Sequence, residues 1–132
     1  MENHAYCPSN YFRKPLKKIA LALAILWAVG IFILGSLPGK DLPQVDISRF
    51  DLIEHCGAFG LLAYLFLHAE KFPAHYMVIG VSLYGIGLEY WQRDWLPYFV
   101  DAQRVFGWDD ATANALGALI GYVFWRWQTR KS

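Results

Sequence analysis

Residues 19–37 carry no charge over 19 consecutive positions, between the basic cluster Arg13, Lys14, Lys17 and Lys18 and the pair Pro38-Gly39. As a helix, that run covers roughly 28 Å, enough to cross the hydrocarbon core of a bilayer. Such a segment is either a membrane-crossing helix or the apolar part of a signal peptide, which a basic stretch also precedes. The run exceeds the usual signal-peptide length, and no small-residue cleavage site stands clearly at its end, so a retained helix is expected. Ala20, Ala24, Ala28 and, beyond Ile31, Gly35 form a stripe of small residues along it, which lets a neighbouring helix approach closely.

Three more apolar stretches follow. The second runs from Leu52 to His68, the third from Ala74 to about Gln92, and the fourth from near Asp109 to Trp127. A chain with 56% apolar and 17% charged residues is too apolar for an ordinary water-soluble domain. Its 132 residues suffice for one domain at most. The expected fold class is therefore all-α: a compact four-helix transmembrane bundle spanning residues 19–127. A basic cytoplasmic arm (1–18) precedes it and a short cytoplasmic tail (128–132) follows. The net charge of +1 gives no electrostatic case for nucleic acid, and no zinc-finger spacing, Gly-rich phosphate loop or internal repeat is present.

Basic residues orient the bundle. Eight of the 12, Arg13, Lys14, Lys17, Lys18, Lys71, Arg126, Arg130 and Lys131, fall on the side of the two termini; Lys40, Arg49, Arg93 and Arg104 fall on the other. The positive-inside rule then puts both termini in the cytoplasm of a multi-pass protein of a bacterial cytoplasmic membrane. Cys7 and Cys56 lie near opposite faces, so no disulfide is expected. Trp125 and Trp127 fit the inner aromatic belt. The outer loop between helices 3 and 4 holds Trp95, Tyr98, Phe99, Phe106 and Trp108, as an interfacial belt or as a lid over a polar site.

In-and-out threading brings distant polar residues to the outer face. Asp51, Glu54 and His55 open helix 2, Glu89 and Gln92 close helix 3, Asp109, Asp110 and Asn114 open helix 4, and Arg104 lies in the loop. Asp51 and His55 share a helix face, as do Asp110 and Asn114, and as do Glu89 and Gln92 with Gly85 below them. Gly117 and Gly121 form a GxxxG pair for tight helix packing. Ionisable groups this deep must pair or protonate, so His55, Glu89, Gln92, Arg104, Asp110 and Asn114 are the candidate ligand-binding set, with Arg104 expected against Glu89 or Asp110. The structural alternatives are an aspartate cap on helix 4, an Asn114 bond to a neighbouring helix and a buried pair of Glu89 with Arg104 or His55.

Three blocks carry a resemblance: DLIEHCGAF (51–59), GIGLEYWQ (85–92) and RVFGWDDATANALGALIG (104–121), with SLPG (36–39) after helix 1. In that order they resemble the VanZ-like family of small bacterial membrane proteins, over about residues 19–127. The resemblance places Asp51 and His55 in the family's helix 2 motif, Glu89 and Gln92 in its helix 3 motif, and Arg104, Asp110, Asn114, Gly117 and Gly121 in its last block. Leu52 and Cys56 stand where the family often has lysine and an aromatic. The resemblance implies a link to the cell envelope and to low-level resistance to the glycopeptide teicoplanin, with no defined mechanism.

Three functions follow as expectations. The first is binding or remodelling of an envelope lipid or lipid-linked precursor through the outer polar cluster. The second is a small intramembrane enzyme acting on a phosphate or ester, with His55, Glu89 and Asp110 as catalytic candidates and Arg104 as an anion clamp. The third is transport, which four helices would support only as a homo-oligomer. No cofactor and no metal is expected; the one metal set left open is His55, Glu89 and Asp110.

Overall fold

A computed structural model describes residues 9–37, 50–100 and 107–131. The described residues form four α-helices: α1 (Ser9–Gly35), α2 (Phe50–Ala69), α3 (Ala74–Tyr90) and α4 (Trp108–Arg130). A π-helical turn, Trp91–Trp95, and a 3-10 turn, Leu96–Tyr98, extend α3. No strand occurs among the described residues, and the fold is an all-α helical bundle.

Contacts between helices fix their directions. Lys17 pairs with Glu70 and the Trp27 Nε1 donates to Ala58 O at 2.9 Å, so α1 and α2 run antiparallel. The Tyr84 hydroxyl donates to Ala28 O at 2.7 Å and Gln92 Nε2 to Gly35 O at 2.9 Å, so α3 runs parallel to α1. His55 meets Asn114, and the Tyr64 hydroxyl donates to Gln128 Oε1 at 2.6 Å, so α2 and α4 run side by side in one direction. The chain thus alternates up and down, with the starts of α2 and α4 and the ends of α1 and α3 at one end.

Glycine decides how closely α2 and α4 approach. A Cβ at Gly117 would collide with the backbone of Cys56, and one at Gly121 with the backbone of Gly60. Gly60 itself faces Gly117 O, 3.1 Å from where its Cβ would stand. Along this seam Phe59, Leu62, Ala63 and Ala118 are buried, joined by Val81 and Leu88 of α3 in one core. The stripe on α1 faces inward, with Ala24 fully buried and Ala28 against the core.

Several boundaries differ from the sequence expectation. The helix α1 begins at Ser9 rather than Ile19, so described residues of the arm are helical; a helix nucleated in the apolar run extends cheaply through Leu, Lys and Arg, which are good helix formers. Pro15 lies inside it. The helix α4 runs on through the tail to Arg130 and begins at Trp108. Its N-cap is Gly107 with no side-chain cap, so neither Asp109 nor Asp110 caps it; both sit in its first turn, where a carboxylate suits the helix dipole. Glu70 takes a left-handed φ of 48° to end α2, and Pro73 precedes α3. Among the described residues two helices, α1 over Lys14–Gly35 and α2, are long and apolar enough to cross a membrane. The 17 residues of α3 rise only about 26 Å before the wider turn begins, and α4 carries acids at its start and arginines at its end. Cys7, the loop around Pro43, Arg104 and Phe106 lie outside the described residues; Cys56 is a free thiol.

Candidate functional site

Where α2 and α4 begin, their first turns lie against each other. His55 stands one turn into α2, four residues after Asp51, and its Nε2 is 3.7 Å from Asp51 Oδ1. Its other nitrogen, Nδ1, is 2.9 Å from Oδ1 of Asn114 on α4. An amide oxygen only accepts, so Nδ1 is the donor in this pair. Asp110, one turn before Asn114, completes the group: one ligand atom from each of Asp51, His55 and Asp110 lies within 4.8 Å of the others.

Asn114 is the hinge of this arrangement. It is fully buried, and its Nδ2 has no hydrogen-bond partner. A buried amide in that state costs roughly 1–3 kcal/mol. It fits because Gly85 of α3 has no side chain: a Cβ there would lie 2.9 Å from Asn114 Cβ and 3.0 Å from both Asn114 Nδ2 and Phe59 Cε1. Gly85 therefore serves α4 by leaving room for its asparagine.

Glu89, one turn beyond Gly85, is 2% exposed and accepts a hydrogen bond from the Gly107 backbone N–H at 3.4 Å. Its carboxylate so lies at the N-terminus of α4, where the helix dipole favours negative charge. A Cβ at Gly107 would stand 2.5 Å from Asp110 Oδ2, so the cap glycine also lets the Asp110 side chain fold back. Gly60, Gly85 and Gly107 thus shape the site together with the charged residues. Of these, Gly60 and Gly107 were missed from the sequence, where the only signals are a glycine inside an apolar helix and one directly before an acidic first turn.

Gln92 separates from Glu89. The spacing of three would place them on one face of a regular helix, but the chain widens into the π-helical turn at Trp91, and Gln92 turns to the end of α1. It is 5% exposed there, donating to Gly35 O, while Trp91 Nε1 donates to the Ser36 hydroxyl at 3.0 Å. Gln92 closes the α1–α3 contact and does not share the Glu89 position. Among the described residues the metal-capable set is Asp51, His55 and Asp110, with Asp51 in the place that the sequence left open for Glu89. The expected Arg104 contact lies outside the described residues.

Beyond the cluster, the aromatic turn is exposed: Trp95, Tyr98, Phe99 and Trp108 all face outward. An open cavity of about 440 Å³ lies against Asp94, Trp95, Tyr98 and Phe99. Beside it Arg93 grips Asp94 through Nε and Nη2 at 2.5 and 2.7 Å, which holds the Asp94 carboxyl below the usual carboxylate range. A second groove of about 260 Å³, lined by Ala28, Leu62, Phe66, Met77, Val81 and Tyr84, runs between α1, α2 and α3. Comparison of the chain with family models, with curated proteins and with solved structures finds no match in any of the three.

Proposed function

We propose that this is a VanZ-like integral membrane protein of the bacterial cytoplasmic membrane, crossing it four times with both termini in the cytoplasm. In this reading it binds an envelope lipid or lipid-linked precursor through the cluster at the starts of α2 and α4. The observation that carries it is an inversion of polarity. Glu89, Gln92 and Asn114 are 2%, 5% and 0% exposed, whereas Leu26, Ile53, Leu83 and Val123, one from each helix, are 68%, 65%, 61% and 58% exposed. A water-soluble bundle buries its large apolar side chains and solvates its amides and carboxylates. A bundle in lipid does the reverse, and the polar residues it keeps inside mark functional positions. Length supports the same reading for α1 and α2, and the skew of basic residues supports the orientation.

A lipid ligand also suits the surroundings. The exposed aromatic turn fits the depth of lipid headgroups, and the apolar groove between α1, α2 and α3 is open to an acyl chain. The enzymatic alternative has less support. Among the described residues, the Ser82, Thr112 and Thr129 hydroxyls donate to carbonyls of their own helices, and none is placed against His55.

Native mass spectrometry of the full chain released from membranes tests the ligand. A lipid adduct that survives on the native protein and is lost from a folded Glu89→Gln variant is expected. Identical adducts on both proteins would remove the cluster from the binding site. Reporter fusions test the threading: a periplasm-active reporter at Ser132 sinks the topology.

A further inference from the structure

We propose that Asp51, His55 and Asp110 form a binding site for a divalent transition-metal ion, best matched by Zn²⁺. A ring nitrogen of His55 and the oxygens of two carboxylates converge on one small volume, one ligand atom of each residue within 4.8 Å of the others. Imidazole nitrogen with two carboxylates is a donor set for Zn²⁺, which accepts three protein ligands and keeps a fourth position open. Mg²⁺ and Ca²⁺ prefer all-oxygen shells completed by water, so an imidazole nitrogen in the set favours Zn²⁺.

A second observation comes from the other side of the ring. Asn114 is wholly buried, and its Oδ1 holds His55 Nδ1 at 2.9 Å while its Nδ2 lies against Gly85. Metal-binding histidines are commonly oriented in this way, by a hydrogen-bond partner on the ring nitrogen that does not meet the ion. The chain therefore spends a buried asparagine, and the absent side chain of Gly85, on orienting one imidazole.

Closing the site needs little movement. Tetrahedral Zn²⁺ with bonds near 2.0–2.1 Å sets its ligand atoms roughly 3.3 Å apart. The Asp51 side chain is 64% exposed and free to rotate inward, whereas His55, 21% exposed, is already fixed. The open fourth position suits an anionic oxygen, the chemistry of a phosphate or carboxylate ligand. The site uses the cluster of the lipid-binding reading without depending on it, because ion binding is measured with metal alone.

The test is isothermal titration of ZnCl₂ into the full chain in detergent micelles, without a polyhistidine tag and stripped by chelator. One Zn²⁺ per chain is expected. His55→Ala and Asp110→Asn should weaken binding about 100-fold or more. Since either variant touches the helix seam, Asp51→Asn is the decisive control: this exposed residue should lower affinity about tenfold or more while the metal-free melting temperature stays constant. Absence of saturable binding overturns the proposal, as does an affinity unchanged in both Asp51→Asn and Asp110→Asn. Intact Zn²⁺ binding with no lipid adduct would overturn the lipid reading alone.

Discussion

The helices α4 and α1 are attached to the rest of the bundle in opposite ways. Against α2, α4 lies backbone to backbone: Gly117 faces Cys56, Gly121 faces Gly60, and no side chain separates the two chains. The helix α1 keeps its distance and is held by long side chains from both partners and from itself. Trp27 reaches Ala58 O, Tyr84 reaches Ala28 O, Gln92 reaches Gly35 O and Lys17 reaches Glu70. Nearly all of the large apolar residues of α1 remain exposed, Leu26 and Leu34 at 68% and 61% among them. In a lipid environment this difference has a physical basis. Apolar side chains gain nothing by exchanging lipid for protein, so association depends on close backbone packing or on hydrogen bonds. The α2–α4 seam uses the first and α1 the second. The candidate site sits at the end of this closely packed seam, the kind of support that a site needing fixed geometry requires.

The largest effect should come from forcing the seam apart. Gly117→Leu places a side chain where the backbone of Cys56 now lies, and relief requires the two helices to separate. Overpacking against backbone belongs at the upper end of the known range, roughly 3 kcal/mol, or a fall in melting temperature of roughly 10 °C in detergent. A melting temperature equal to that of the native protein would mean that the seam is not closed as described. Gly121→Leu should follow the same direction, because Gly60 O stands in its way.

A smaller effect tests the attachment of α1. The double variant Trp27→Phe, Tyr84→Phe removes two side-chain donors and keeps both aromatic rings. Each bond contributes about 0.5–1.5 kcal/mol. The expected outcome is faster amide hydrogen exchange confined to α1, with α2 and α4 unchanged. Exchange that rises equally in all four helices would show that α1 belongs to the same cooperative unit as the seam.

The smallest effect separates two glycines of one helix. Gly57 of α2 has open space where a Cβ would be, whereas Gly60, one turn on, faces Gly117 O. Gly57→Ala should leave stability unchanged or raise it by up to about 1 kcal/mol through helix propensity. Gly60→Ala should lower it. Equal behaviour of the two would put the α2 contact face elsewhere.

Periodicity and composition suffice to identify four helical segments, because a helix satisfies its own backbone and announces itself as a local apolar run. The stripe on α1 and the glycines of α4 could be read in the same local way, since small residues at a spacing of four have few other uses in an apolar helix. Boundaries were less legible. Nothing in the residues around Trp91 announces the π-helical turn that sends Gln92 to Gly35 and leaves Glu89 with Gly107. The sequence could likewise bring Asp51, His55, Asp110 and Asn114 to one end of the bundle, because alternating threading fixes which helix ends are neighbours. It could not decide which of them touch. That depends on how far α2 and α4 slide and rotate against each other, which is set by the fit of Gly60, Gly117 and Gly121. Spacing within one helix is a property of the local chain; contact between helices is a property of shape, and shape exists only once both backbones are in place.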